Sequence, residues 1–286
     1  MNSSAALASV VFGLASAVTW GAGDFSGGYG ARRAPVIAVL LYSQIIGIVL
    51  LAALALLTHE ALPAPVDLAY GAAAGIAGLF GLAALYRAMA LGQMGVVAPV
   101  SGVIAAALPV IAGALTQGLP APLTLLGFML ALAGVWFVSR TADHGESRSP
   151  RKVSIALAAL SGLAFGAFLI LIAQARHGSV FIPLVAARCA SIAMVLAAAA
   201  FTRSIRRPPL HALPAIIMAG TMDACGNFFF VLASQAGRLD VAGVLSSLYP
   251  ASTVVLALTL LRERLARGQA LGIGLVLVAI PLISLP

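Results

Sequence analysis

Gly220-Thr221-Met222-Asp223-Ala224-Cys225-Gly226-Asn227 is the stretch that decides how this chain folds. It lies inside an apolar run from about Ala212 to Ser234, long enough to cross a hydrocarbon core about 30 Å thick. An aspartate at that depth costs roughly 2.5–3.5 kcal/mol even on the lenient insertion scale. Asn227 follows one helical turn later on the same face. The small residues around both side chains let neighbouring helices approach closely. The preceding apolar run carries another charge, Arg188. Together these residues predict a polar site at membrane depth.

Composition supports a membrane setting for that site. Of 286 residues, 62% are hydrophobic and only 8% charged, whereas a soluble domain carries about 25% charged residues. No soluble fold covers so much apolar surface, so the chain reads as a polytopic membrane protein. The net charge of +8 would suggest nucleic acid in a soluble protein. Here the cations cluster in short loops between apolar runs, as the positive-inside rule describes, and no nucleic-acid partner is expected. Cys189 and Cys225 fall inside apolar runs with no metal spacing and no disulfide framework, and read as buried structural thiols. His59, His144, His177 and His211 lie in or near loops without a ligand pattern. No metal and no cofactor is predicted. The first apolar run lacks a basic segment before it, so despite Ala15-Ser16-Ala17 it reads as an uncleaved spanning helix.

Ten apolar runs occur, over 8–28, 35–57, 66–89, 95–116, 121–139, 153–174, 180–201, 212–235, 240–261 and 267–285. The longest polar stretch, 140–152, falls at the midpoint. It separates two halves, 1–139 and 153–286, that match at a constant offset of 145. Ser16 matches Ser161, Gly21 matches Gly166, Gly75 matches Gly220, Gly92 matches Gly237, Ser101 matches Ser246, Gly127 matches Gly272 and Ser139 matches Ser284. This argues for a duplicated five-helix unit. Five is odd, so the second copy enters the membrane from the opposite side. The predicted fold class is therefore all-α and polytopic, with ten transmembrane helices as two inverted five-helix repeats. Secondary transporters recurrently use that architecture, with the site near the midplane between repeats. Arg32, Arg33, Arg140, Arg148, Arg151, Lys152, Arg203, Arg206, Arg207, Arg262, Arg264 and Arg267 all fall in or beside odd-numbered loops. That side should be cytoplasmic, which places both termini outside.

Several residues could carry the work. Ser16, Trp20 and Asp24 form one stripe on the first helix. Asp24 either lies within the membrane or caps a helix end marked by the glycines around it. Arg188 and Asp223 form the strongest pair, since each offsets part of the other's desolvation. They read either as a structural ion pair or as a binding or coupling site for a zwitterion, an anion or a proton, and the two readings are compatible. Asn227 is either an interhelical hydrogen-bond partner or part of the same cavity. Ser246, Tyr249 and Thr253 fall on one face of the ninth helix, beside the helix-breaking Pro250. The matching fourth helix holds Pro99, Ser101 and Pro109. Paired broken helices in corresponding positions point to a transport site. Tyr42, Ser43, Gln44 and Tyr86 are weaker candidates, and Tyr70 reads as an interfacial anchor.

At these residues the chain resembles the EamA-type transporters of the drug/metabolite transporter superfamily. The resemblance rests on Trp20-Gly21, on Tyr86-Arg87-Ala88-Met89-Ala90, on Ser246-Ser247-Leu248-Tyr249-Pro250 and on Leu261-Arg262-Glu263-Arg264-Leu265, with Gly127 and Gly272 also fitting. The first half departs from it: Ala105 stands where Pro250 does, and Gln117-Gly118 where Arg262-Glu263 do. The resemblance implies a ten-helix, two-repeat bundle in a bacterial cytoplasmic membrane that moves small metabolites, commonly outward, by alternating access.

The sequence is thus read as a secondary transporter exporting small polar metabolites such as amino acids and related compounds. No nucleotide-binding run is present, so a gradient supplies the energy or transport is passive, with a proton as the candidate coupling ion. The alternatives are an importer of the same substrate class and an intramembrane enzyme acting on a lipid-linked substrate. An enzyme needs a convergent nucleophile, base and electrophile that the sequence does not supply, so the chain is not read as one. Asp223 is the first candidate for substrate amine contact or proton coupling and Asp24 the second. Arg188 holds Asp223 ionised or meets a substrate carboxylate, and Trp20 and Tyr249 line the cavity. Duplication within one chain makes a functional monomer the simpler expectation, with the lipid bilayer and a small-molecule substrate as its partners.

Overall fold

The structure is a computed structural model that describes residues 3–91, 94–140, 151–175, 178–202, 207–252 and 267–284. Among the described residues there is no strand. The helices are α1 (Ser3–Ala31), α2 (Val36–Leu57), α3 (Pro65–Ala90), α4 (Met94–Gln117), α5 (Pro122–Arg140), α6 (Arg151–Ile172), α7 (Phe181–Thr202), α8 (Leu213–Ala236), α9 (Leu239–Ser246) and α10 (Arg267–Ser284), with a short 3₁₀ turn at Leu210–Ala212. Nine of the ten predicted apolar runs, all but the ninth, each coincide with one of these helices. Among the described residues seven helices, α1 to α4 and α6 to α8, contain stretches long and apolar enough to cross a membrane. The apolar parts of α5 and α10, Pro122–Phe137 and Ala270–Ile280, are shorter.

The ninth run departs most from expectation. In place of one helix over 240–261, α9 ends at Ser246, residues 247–248 form a turn, and helix resumes over 249–252. Pro250 is the local cause, because it has no N–H to donate to the carbonyl of Ser246 and its ring crowds that carbonyl. Thr253 and the Arg262-Glu263-Arg264 cluster lie outside the described residues. The fourth helix corrects the expectation of paired breaks: α4 runs unbroken through Pro99 and Pro109. Pro109 is held against α9, where a Cβ on Gly243 would lie only 2.6 Å from its Cβ. Such close packing stabilises a helix that has lost one ladder bond.

Helix neighbours follow the same pattern in both halves. α1 packs on α8 and α6 on α3; α4 packs on α6 and α9 on α1; α3 packs on α7 and α8 on α2. Gly75 and Gly220, matched in sequence, make equivalent approaches. A Cβ on Gly75 would collide with the backbone of Ala187 in α7, and a Cβ on Gly220 with the backbone of Ser43 in α2. Ser191 Oγ seals the first approach with a 2.8 Å hydrogen bond to the Gly75 carbonyl. Corresponding helices also meet antiparallel. Gly127 of α5 lies against Ile283 of α10, and Gly134 against Val276. Likewise Gly102 lies against Pro250, and Gly113 of α4 against Asp240 of α9.

Large apolar side chains point outward, among them Leu7, Val18, Val49, Phe80, Leu115 and Met129. In water this would be an aggregation surface; against lipid it is the expected exterior. The same logic corrects the reading of the cysteines. Cys189 is exposed and Cys225 half-buried, because an apolar position in a bilayer need not face the core.

The connections facing away from the α1–α2 loop are tied together by polar contacts. His59 (φ 50°) ends α2 in the left-handed conformation, and the N–H of Glu60 donates to the Ala55 carbonyl at 3.0 Å. The Glu60 carboxylate then accepts from the first backbone N–H groups of α7: Phe181 at 2.9 Å, Ile182 at 2.7 Å, and Val180. Ser179 Oγ donates to the Ala61 carbonyl at 3.1 Å, and Gln235 Nε2 to the Ser179 carbonyl at 3.1 Å. On the same side, Arg238 pairs with Asp240 at 2.7 Å and donates to the Gly118 carbonyl at 2.7 Å. The Asp240 hydrogen bond raises the Arg238 guanidinium above its ordinary range.

Candidate functional site

Asp223 sits near the middle of α8, ten residues from Leu213 and thirteen from Ala236, or about 15 Å and 20 Å of helix. Its Oδ2 accepts from Arg188 Nη2 at 2.5 Å, and the two side chains are 16% and 6% exposed. The other Arg188 nitrogen, Nη1, donates to Gln44 Oε1. Helices α2, α7 and α8 therefore meet through one guanidinium. The flat fork of Arg suits this, because it donates in two directions at once.

Helix α1 faces this trio. Ser16 Oγ donates to the Gly226 carbonyl at 2.9 Å, and Trp20 Nε1 to Asn227 Oδ1 at 3.0 Å. A Cβ on Gly226 would strike the Trp20 ring, so the bare backbone there is what lets the indole lie flat on α8. Phe230 stacks on the same ring with centroids 5.9 Å apart, and Phe168 meets it edge-on at 6.4 Å. Asp24, one turn beyond Trp20, is 7% exposed. Because α1 continues to Ala31, Asp24 lies inside the helix, and the reading of it as a helix-end cap is overturned.

Between these walls lies a cavity of about 50 Å³, room for roughly three or four waters. Trp20, Asp24, Arg188, Asp223, Asn227 and Tyr249 all line it, with Gln44, Ser191 and Ser247 completing the polar surface. Leu79, Leu82, Phe165, Phe168 and Leu184 form the apolar remainder. Ser246 is not among the lining residues. It is fully buried and points toward the Gly13 carbonyl of α1 at 3.5 Å. The break after Ser246 shifts the helical phase, so the shared face expected of Ser246 and Tyr249 does not form, and Ser247 takes the cavity position. Pro250 packs on α4, its Cγ 3.0 Å from where a Cβ on Gly102 would be.

Sequence reasoning underrated Gln44 and missed Ser191, Ser247, Phe165, Phe168 and Glu60. Gln44 carried a usable signal, as an amide inside an apolar run one helix away from the charges. Serines and phenylalanines are too ordinary in membrane helices to be singled out. Tyr86, a weak candidate, is 1% exposed and packs its phenol ring under Gly27. Among the described residues, no group of three or more His, Cys, Asp or Glu side chains is placed to hold a metal ion.

The fold and the site define a multi-pass helical membrane protein with charged side chains lining a cavity between its helices. The EamA-like transporter family matches residues 7–140 and again 152–285. The chain belongs to that family, and its members are membrane transporters of the drug/metabolite superfamily. The two matches are displaced by the same 145 residues that separate the matched glycines and serines. Among solved structures, one described only as the crystal structure of a protein is similar at a TM-score of 0.77 and 17% identity, covering 96% of this chain and 95% of the other. That likeness concerns the fold. No curated protein matches the chain.

Proposed function

We propose that the protein is a secondary transporter that carries small polar metabolites, amino acids and related amine-bearing compounds, through the cavity between Asp24 and Asp223. The observation behind this reading is a largely apolar cavity, with a few charged and polar side chains in its wall, whose charged and aromatic residues come from both halves of the chain. The halves, 1–139 and 153–286 with the linker 140–152, act as two inverted five-helix repeats in a ten-span bundle. The antiparallel meetings of α5 with α10 and of α4 with α9 support that inversion. Rocking of one repeat against the other exposes the cavity to each side in turn. The loop arginines favour a bacterial cytoplasmic membrane with both termini outside. Outward transport by a monomer, with a proton as coupling ion, completes the proposal.

Counterflow in proteoliposomes tests it. Vesicles preloaded with unlabelled amino acids and amines should accumulate the labelled compound transiently, in a saturable way. Asp223→Asn should abolish this or change its pH dependence. Equilibration without overshoot for every compound would mean a channel or no transport. Wild-type counterflow with unchanged pH dependence in Asp223→Asn would remove Asp223 from the mechanism. Opposite pH gradients across the vesicle separate export from import.

A further inference from the structure

We infer that Phe165, held back against the bare backbone of Gly81, limits how large an apolar group the cavity's ligand carries. The inference deepens the transporter reading, and rests on it for the claim that this ligand is cargo.

The cavity has two unlike walls. Every lining residue that α3, α4 and α6 supply is apolar, whereas Asp24, Gln44, Arg188, Asp223 and Asn227 come from α1, α2, α7 and α8. A ligand whose polar end meets the second wall lays the rest of itself on the first. Two rings of α6, Phe165 and Phe168, belong to that apolar wall, and each lies on a glycine of α3. A Cβ on Gly78 would come 3.1 Å from Phe168 Cδ2. Phe168 is buried and is also braced by the Trp20 indole, with centroids 6.4 Å apart. Phe165 is half-buried, and among the described residues no aromatic ring braces it. A Cβ on Gly81 would come within 2.6 Å of its Cδ1 and 2.7 Å of its Cε1. The missing side chain of Gly81 thus sets how far this ring stands into the cavity.

Both helices are held in place by close backbone contacts of their own. On α6, a Cβ on Gly162 would lie 2.6 Å from the Ser101 carbonyl oxygen of α4, and Ser101 Oγ donates to Ser161 Oγ at 3.0 Å. On α3, a Cβ on Gly75 would collide with the Ala187 backbone of α7. A methyl added at Gly81 is therefore taken up by the Phe165 ring, and the open space which that ring borders is the cavity. A cavity of about 50 Å³ has little slack. One methylene too many in an apolar pocket changes preference by about 10–200-fold.

The test is binding to the purified chain, read by tryptophan fluorescence and calorimetry. The probes are alanine and leucine, with ethylamine and isopentylamine as the same side chains without the carboxylate. The readout is the affinity ratio of the larger to the smaller member of each pair. It is taken within each variant, so a smaller folded fraction does not move it. Phe165→Ala should raise the ratio by about tenfold or more, and Gly81→Ala should lower it by a similar factor. In the double variant the methyl has no ring to push, so the ratio should stay as high as in Phe165→Ala. An unchanged ratio in either single variant would overturn the inference. So would a fall on Gly81→Ala that is equally large without Phe165, or a wild type that binds none of the four probes. Shifted ratios without counterflow of any probe would keep the inference and sink the claim of transport; counterflow with unshifted ratios would do the reverse.

Discussion

Replacing Arg188 with methionine should destabilise the protein far more than replacing Arg188 and Asp223 together. In the native structure the guanidinium and the carboxylate meet at 2.5 Å, with side chains 6% and 16% exposed. At an effective dielectric of about 20, unit charges about 4 Å apart attract by about 4 kcal/mol. Removing one member of such a pair typically costs about 3–5 kcal/mol, because the other charge stays buried and unpaired. Arg188→Met should lose that much. Adding Asp223→Leu should return the stability to within about 1 kcal/mol of wild type, since an apolar pair of similar volume is often neutral or better. Gln44 loses its donor in both variants, so its contribution cancels. An ordinary hydrogen bond between membrane helices averages only about 0.6 kcal/mol, so the size of the effect reports which interaction is present. Unfolding in mixed micelles, followed by circular dichroism against denaturing detergent, measures it. If the single and double variants lose the same amount, the two residues are not an ion pair that holds α2, α7 and α8 together.

Other sites give further expectations. Gly75→Ala and Gly220→Ala should each destabilise by about 1–3 kcal/mol, because the new methyl overlaps backbone rather than a movable side chain, and the same detergent titration shows it. Glu60→Gln should weaken the cap on α7 by about 1 kcal/mol. Disulfide trapping between Ala61→Cys and Ser179→Cys, in a background without Cys189 and Cys225, should slow accordingly. Trp20→Phe keeps the ring but orphans Asn227 Oδ1, at a cost of about 1–3 kcal/mol. Adding Asn227→Leu should recover part of that loss, and additive losses would mean that the two residues are not coupled.

Most of the helix pattern was legible because a hydrocarbon core sets one length scale, and the ten runs coincide with helices to within a few residues everywhere except the ninth. The duplication was legible because small residues at close approaches cannot drift freely: Gly75 and Gly220 hold equivalent contacts against opposite neighbours. Charges at depth were legible for the same energetic reason, and Arg188, Asp223 and Asp24 all face one cavity. The consequence of Pro250 was harder to foresee. A proline can be absorbed, as at Pro109, or can end a helix, and only the packing partner decides which. That choice moved Ser246 out of the cavity and brought Ser247 in. Glu60 was invisible because a loop glutamate has no sequence signal; its meaning lies in the α7 N-terminus that it reaches across the molecule.

The scaffold is nearly two-fold in its helix contacts, yet its polar ties are not. Glu60 caps α7, but α2, the helix that corresponds to α7, has Pro35 as its N-cap and no side-chain cap, and the position 145 beyond Glu60 is Ile205. The break at Pro250 has no counterpart at Ala105, where α4 is continuous. Perfect inversion symmetry would make the two faces equivalent in energy and leave no preference between opening to one side and to the other. The ties around Glu60 and Arg238 join connections on one side of the bundle, and none of the residues that make them lines the cavity. The break in α9 lies beside it, at the residues that supply Ser247 and Tyr249. A ligand in the cavity therefore meets α9 beside its interruption after Ser246, and does not touch the ties around Glu60 and Arg238. On the transporter reading, binding and gating are separated in the same way: Asp24 and Asp223 select what enters, and Glu60 and Arg238 set how readily the far side opens.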